Sequence, residues 1–174
     1  MDYTCFEYSR STPVCYQGIQ LDSILELKFL LSIEETHAYI RDGIEIYYEE
    51  RSLTANDEMY ERTRKYVPDF LIRDWKTKQA TLVEVKPDRY VDDGLLAEKK
   101  KAASHFIETF GYDWQYKVVF EASIHLSTEQ YRKLSSILSG QTKHHRQCQP
   151  ISSYIQEEQH RLFVRSGLVP APSL

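Results

Sequence analysis

The sequence has few of the residues that mark specialised classes of protein. Among its 174 residues are only three cysteines, six glycines and six prolines. The number of cysteines is odd, and no C-x-x-C pair occurs among Cys5, Cys15 and Cys148. This argues against a disulfide framework and predicts buried or incidental thiols in a reducing compartment. The composition is not collagen-like, and no repeat or low-complexity block is present.

Long apolar runs and a strong net charge are also missing. No run approaches the roughly 20 apolar residues of a membrane-spanning helix, and the first residues lack the layout of a signal peptide. We therefore expect a cytoplasmic protein with no membrane partner. The net charge of −4 removes the usual argument for nucleic-acid binding, which is a strongly basic surface. Any positive face must come from the basic clusters at 62–65, 99–101 and 143–146, which solvated surface charge also explains.

The remaining composition is that of one globular domain with a core of its own. Apolar residues make up 41% and charged residues 28% of the chain, which excludes global disorder. Apolar spacing and capping residues predict helices at 21–33, 95–110 and 127–138, strands at 44–48, 66–72, 80–85 and 114–120, and a loop at 53–61. We expect the domain to cover 1–140, followed by a linker and a short docking or frayed segment at 141–174.

Two of these strands carry acidic residues where a buried sheet has apolar ones. If 66–72 and 80–85 pair as an antiparallel hairpin in which Phe70 faces Val83, then Asp69 faces Glu84 across the ladder. Lys86 then emerges on the same face as Glu84. Two carboxylates about 5 Å apart repel each other and raise each other's pKa, so the pair is unfavourable without a cation.

A hard divalent cation resolves this conflict. Mg²⁺ prefers carboxylate and carbonyl oxygens and keeps several waters, so Asp69, Glu84 and the Val85 carbonyl predict a magnesium site with room for water and a phosphate oxygen. Lys86 beside it can hold or help deprotonate the attacking water and stabilise charge that grows on phosphorus. The set predicts phosphodiester hydrolysis. The alternative is a solvated sheet face on which Lys86 bridges the two acids as a cross-strand ion pair.

The same residues match the signature of a nuclease superfamily. The PD-(D/E)xK pattern is met by Pro68-Asp69 and then Glu84-Val85-Lys86. The flanking sequence that strengthens the match lies at 23–31, 44–48, 66–70 and 83–87. Over roughly Gln20 to Phe120 the chain resembles the N-terminal catalytic domain of TnsA-like transposon endonucleases. The resemblance implies an α/β fold of the restriction-endonuclease-like type, in which α-helices flank a central mixed β-sheet.

By this resemblance four side chains form the active site. Asp69 and Glu84 are the metal carboxylates, Lys86 is the catalytic lysine, and Glu26 is an acidic residue that the first helix adds to the metal site. The implied cofactor is Mg²⁺, for which Mn²⁺ can substitute. Ser23-x-x-Glu26 is also a capping box, in which the glutamate satisfies a backbone N–H at the helix start and has no catalytic role.

The resemblance also implies a function. It is that of a Mg²⁺-dependent DNA endonuclease that cuts one strand at a transposon end and leaves 5′-phosphate and 3′-hydroxyl ends. The implied partners are DNA, a transposase that cuts the other strand and an ATPase regulator. TnsA-like proteins commonly carry a second domain that contacts the regulator, and the segment after Gly140 is too short for one. The alternatives are a stand-alone nuclease of a phage or defence system and a non-catalytic DNA-binding or assembly subunit with the same fold. The sequence leaves the oligomeric state open.

Two other groups of residues are weaker candidates. His144, His145 and Cys148 are zinc-ligand types, but no fourth ligand accompanies them, and a polar linker explains them better. Packing within the sheet explains the aromatic residues better than base stacking does. These residues are Tyr47, Tyr48, Trp114 and Tyr116.

Overall fold

A computed structural model describes residues 12–53, 59–91 and 94–140. Its helices and strands are, in chain order, β1 (Val14–Tyr16), β2 (Ile19–Leu21), α1 (Ile24–Ile33), β3 (His37–Arg41), β4 (Ile46–Leu53), β5 (Met59–Tyr66), β6 (Phe70–Asp74), β7 (Ala80–Lys86), α2 (Gly94–Phe110), β8 (Trp114–Phe120) and α3 (Thr128–Gly140). No helix within these three stretches is both long enough and apolar enough to cross a membrane. The predicted strands at 80–85 and 114–120 and the helix at 95–110 are confirmed to within one residue at each end.

The described strands form one larger sheet and two hairpins. β3, β6, β7 and β8 lie in that order in a four-stranded sheet, whereas β1 with β2 and β4 with β5 are antiparallel pairs. α2 connects β7 to β8 and ends at Gly111, whose φ of 66° suits a glycine at the residue after the helix. A mixed sheet flanked by helices confirms the predicted α/β fold class of the restriction-endonuclease-like type.

The described chain groups into two compact units. The first contains 12–37, Val85–Val91 and 119–140. Within it α1 contacts β1, β2 and α3, and most of its side chains are buried. The sequence predicted this helix to begin at 21, but the chain up to Leu21 is still in β2. The helix begins at Ile24 instead, because Ser23 is its N-cap, with an extended backbone and a side chain that accepts from the Glu26 N–H.

The second unit contains 38–53, 59–84 and 94–118. Its centre is the hairpin of β6 and β7, which has buried side chains on both faces. The buried side chains are Phe70 and Val83 on one face and Leu71 and Leu82 on the other. Because neither face of this hairpin is solvated, a charged residue on it needs a charged or hydrogen-bonding partner.

The hairpin of β4 and β5 corrects the predicted loop at 53–61. Its strands are held by charged pairs, among which Arg62 Nε and Arg64 Nε each donate to Glu50 Oε2 at 2.6 Å. Charged residues at successive positions remove the apolar alternation that marks a half-buried strand. β5 also continues to Tyr66, so the strand predicted to begin there begins at Phe70 instead.

The short strands, the cysteines and the C-terminal segment are three further points on which the sequence and the structure can be compared. Strands β1, β2 and β3 were not predicted, because stretches of three to five residues are too short to show a period. Cys15 is disulfide-bonded, so the prediction of a buried or incidental thiol was wrong at this position. The segment 141–174, which includes the basic cluster at 143–146 and the His144, His145 and Cys148 group, lies outside the described residues.

Candidate active site

The hairpin of β6 and β7 has the predicted register. Phe70 pairs with Val83, and Ile72 pairs with Thr81. Asp69 lies in a bend directly before β6, and continuing the register by one residue places it opposite Glu84. The two acids therefore belong to the same face of the hairpin.

Glu84 is one of the most buried charged residues of the described chain. Its side chain is 1% exposed, whereas Asp69 is half-buried. This burial excludes the solvated-face interpretation for Glu84. A carboxylate so far from water is strongly destabilising unless donors and a positive charge compensate it.

Two side chains supply that compensation. The Tyr66 hydroxyl donates to Glu84 Oε2 at 2.8 Å, and Lys99 Nζ donates to Glu84 Oε1 at 2.6 Å. The Lys99 side chain is 20% exposed, so the ion pair is largely shielded from solvent. Short hydrogen bonds to an ionised group are stronger than neutral ones, and here each carboxylate oxygen has one.

Aromatic side chains complete this arrangement, which we call the Glu84 cluster: Tyr66, Glu84, Lys99 and Tyr116. Lys99 Nζ lies 4.8 Å from the centre of the Tyr66 ring, a cation–π contact. The hydroxyls of Tyr66 and Tyr116 are 3.1 Å apart. The cluster thus holds its cation against a carboxylate on one side and a ring on the other.

The tyrosine hydroxyls of the cluster are held in the protonated form. Burial, and next the negative charge of Glu84, raise the pKa of Tyr66 far above its usual value, so its hydroxyl is a donor. The pKa of Tyr116 is raised to about 12: burial raises it most, the hydrogen bond with Tyr66 lowers it, and the charges of Glu84 and Asp69 raise it. Both acids therefore act on the same hydroxyl, in agreement with the extended register.

Lys99 lies on the buried side of α2. It follows the buried Leu96 by three residues and precedes the buried Ala103 by four, so the three side chains share one helix face. By contrast, Lys100 is exposed, and Lys101 Nζ pairs with Glu98 on the surface at 2.9 Å. In the basic cluster at 99–101, Lys100 and Lys101 are therefore solvated, whereas Lys99 contacts Glu84.

Val85 and Lys86, the last two residues of β7, complete the PD-(D/E)xK signature. Alternation along the strand places Lys86 on the face of Glu84 and Val85 on the opposite face. Val85 is buried and Lys86 is half-buried. Both group with the first unit of the chain, whereas Asp69 and Glu84 belong to the second.

Glu26 occupies the third position of α1 and is also buried. Its backbone N–H donates to Ser23 Oγ at 3.1 Å, and its carboxylate accepts from Ser23 Oγ and from the Asp22 N–H, both at 3.1 Å. The capping role considered as the alternative is therefore present. Glu26 belongs to the first unit, and its participation in a site with Asp69 and Glu84 stays a prediction.

The donor set of the hairpin is chemically suited to a hard cation. It consists of carboxylate oxygens, and its buried member already holds a positive charge at 2.6 Å. Across residues 12–53, 59–91 and 94–140, no group of three or more His, Cys, Asp or Glu side chains is arranged to hold a metal ion. Carboxylate oxygens are ligands that Mg²⁺ prefers, but the described residues bring no third acidic, histidine or cysteine ligand to the hairpin pair, so the magnesium site stays a prediction.

The basic cluster at 62–65 is not an open positive surface. Arg62 and Arg64 share Glu50, and Lys65 Nζ pairs with Glu45 at 2.7 Å. Of the two basic clusters within the described residues, the one at 99–101 supplies a cation, Lys99, to the Glu84 cluster.

The sequence did not identify Tyr66, Lys99 and Tyr116 as site residues. The position of Lys99 on the apolar stripe of its helix was a usable signal, because surface lysines are not expected between Leu96 and Ala103 on that face. No comparable signal marks the two tyrosines, since aromatic residues at strand positions usually indicate packing.

A family model described as TnsA-like endonuclease N terminal matches residues 39–119. Comparisons of the chain with curated proteins and with solved structures gave no significant match. The matched segment includes Asp69, Glu84, Lys86 and all four members of the Glu84 cluster, whereas Glu26 precedes it. The predicted recognition is confirmed over this segment: residues 39–119 match the TnsA-like endonuclease N-terminal domain.

Proposed function

We propose that this protein is a metal-dependent DNA endonuclease that hydrolyses a phosphodiester bond by the PD-(D/E)xK arrangement. The observation that carries the proposal is the buried Glu84 on a hairpin whose register, continued by one residue, pairs it with Asp69, inside the segment that matches the endonuclease family. The Tyr66 hydroxyl and Lys99 already stabilise the buried carboxylate, so its burial alone does not require a metal. Its position beside a second acid, inside the segment that matches the endonuclease family, supports a cation-binding role.

Asp69 and Glu84 would hold Mg²⁺ or Mn²⁺, with the Val85 carbonyl and Glu26 as further donors. A bound metal supplies positive charge that offsets the charge developing on a transferred phosphate. Lys86 holds the attacking water and stabilises the phosphate oxygens as a compact ammonium. Tyr66 positions Glu84, because its hydroxyl fixes Oε2 by a buried hydrogen bond.

The proposed biological role follows from the family. The protein would cut one strand at a transposon end and leave 5′-phosphate and 3′-hydroxyl ends, while a transposase cuts the other strand under an ATPase regulator. The described basic residues at 62–65 are paired with acids, so weak intrinsic DNA affinity and delivery by a partner protein are expected. A cytoplasmic location accompanies this proposal.

Nicking of supercoiled plasmid tests the proposed activity. Native protein, Asp69→Asn and Lys86→Ala are compared in Mg²⁺, Mn²⁺ and EDTA, with the exposed Lys101→Ala as the matched lysine control. We expect metal-dependent nicking by the native protein and by Lys101→Ala, and a loss of at least about 100-fold in the other two variants. Metal-dependent nicking that survives both site changes rules out this site. DNA binding with no cleavage in either metal supports the assembly-subunit alternative.

A further inference from the structure

The ion pair between Lys99 and Glu84 occupies the oxygen atoms that a metal needs. Lys99 Nζ is 2.6 Å from Oε1, and the Tyr66 hydroxyl is 2.8 Å from Oε2. Glu84 is almost fully buried, and each of its carboxylate oxygens already accepts a hydrogen bond. A divalent cation therefore reaches the same carboxylate that the ammonium already holds.

A dication and an ammonium on one buried carboxylate repel each other. The repulsion is much larger there than in water because the surroundings have a low effective dielectric constant. The lysine is the more easily displaced partner, since its side chain is flexible and 20% exposed, whereas Glu84 and Tyr66 are fixed by burial. The two cations thus compete for Glu84.

We propose that Lys99 is the resident counter-cation of Glu84 in the metal-free protein and that divalent metal binding displaces it. This inference rests on the proposed function, since it takes Glu84 as a metal ligand. Lys99 is a positioning residue in this account. It holds Glu84 Oε1 in place before the metal arrives, and it lowers the apparent metal affinity because it must be released.

The chain offers a matched control in its first unit. There Lys133 Nζ donates to Glu34 Oε1 at 2.6 Å, the Tyr16 hydroxyl donates to Glu34 Oε2 at 2.7 Å, and Lys133 Nζ lies 5.4 Å from the Tyr16 ring centre. The arrangement repeats the Tyr–Glu–Lys geometry of the Glu84 cluster. Lys133 is more exposed, at 44%, and no predicted metal ligand is part of this group.

Lysine labelling tests the displacement on the native protein. The full chain is acetylated with an N-hydroxysuccinimide ester in EDTA and in about 10 mM Mg²⁺. Mass spectrometry then measures the acetylation rate of each lysine. We expect Mg²⁺ to raise the acetylation rate of Lys99 at least about threefold and to leave Lys133 unchanged, because release exposes a nucleophilic amine. An unchanged Lys99 rate in protein that binds Mg²⁺ overturns the inference.

Metal affinity in the absence of DNA gives the second readout. Mn²⁺ binding is measured from the free Mn²⁺ signal in electron paramagnetic resonance for native protein, Lys99→Met, Lys133→Met and Glu84→Gln. We expect Lys99→Met to bind Mn²⁺ at least about tenfold more tightly, Lys133→Met to match the native protein, and Glu84→Gln to lose the site. Circular dichroism verifies that each variant is folded, and the labelling of native protein decides the matter if Lys99→Met is not.

The outcomes separate this inference from the proposed function. If native protein and Glu84→Gln bind Mn²⁺ equally, Glu84 is not a ligand, and both proposals fail. If binding depends on Glu84 but Lys99→Met binds no more tightly than native protein, only the displacement is wrong. Weaker binding by folded Lys99→Met also overturns it, because the lysine would then support the metal instead of competing with it.

Discussion

Replacement of Lys99 by methionine should destabilise the metal-free protein more than any comparable change of a surface lysine. The change keeps the length and apolar stem of the side chain but removes the ammonium that pairs with the buried Glu84 carboxylate at 2.6 Å. Loss of one partner from a buried ion pair costs about 3–5 kcal/mol. Since the Lys99 side chain is 20% exposed, water offsets part of this cost, and we expect about 3 kcal/mol.

Lys133→Met is the reference for this comparison. It removes an ion pair of the same 2.6 Å distance, in which the lysine is 44% and the glutamate 14% exposed. Solvent offsets more of the cost than at Glu84, and we expect a loss of about 1–2 kcal/mol. The double variant Glu84→Gln/Lys99→Met removes both charges and should be at least about 1 kcal/mol more stable than Lys99→Met alone.

Urea unfolding in EDTA, followed by circular dichroism, measures these free energies of unfolding. A loss of about 3 kcal/mol corresponds to a Tm roughly 6–12 °C lower for a chain of this length. If Lys99→Met costs no more than Lys133→Met, or if the double variant is not the more stable of the pair, then Lys99 does not compensate the charge of Glu84.

Three further predictions follow from the same contacts. Tyr66→Phe removes the buried hydrogen bond to Glu84 and should cost about 2 kcal/mol of unfolding free energy; a change below the error of urea titration contradicts it. Ser23→Ala should cost about 1 kcal/mol through the lost helix cap without abolishing plasmid nicking. Glu26→Gln should slow nicking, because Glu26 is a proposed metal donor, and an unchanged nicking rate leaves Glu26 with the capping role alone. In EDTA, the free energy of unfolding should be constant with pH below about pH 10 and fall above it. The reason is that tyrosines of the unfolded chain ionise near pH 10, whereas in the folded protein Tyr66 stays protonated and the pKa of Tyr116 is about 12. A free energy of unfolding that stays constant up to about pH 12 contradicts this linkage.

The register of the central hairpin could be predicted from the sequence because it depends on local information. β6 and β7 are joined by a short polar turn, and Asp74 Oδ1 accepts from the N–H groups of Lys76 and Thr77, both at 2.7 Å. A short turn fixes which residues face each other, so Asp69 and Glu84 could be paired from their spacing. The helix α2 was predictable for a similar reason, since Gly111 marks its end.

The partners of Glu84 could not be predicted in the same way, because they come from elements distant in the sequence. Tyr66 was predicted to begin a strand but ends β5 instead. Lys99 lies on α2, in a different element from Glu84. Periodicity shows that Lys99 lies on the buried face of α2, but it does not show which residue that face meets. The capping box at Glu26 was readable locally, whereas a shared site with the hairpin acids depends on long-range packing.

Plasmid nicking by Glu84→Gln tests the central claim most directly. Glutamine keeps the size of the side chain and an oxygen that can accept from Tyr66 or Lys99, but it removes the negative charge. We predict that native protein nicks supercoiled plasmid in Mg²⁺ and not in EDTA, and that folded Glu84→Gln is at least about 100-fold slower in Mg²⁺. Equal Mg²⁺-dependent rates for the two proteins would show that the buried carboxylate is not part of the reaction.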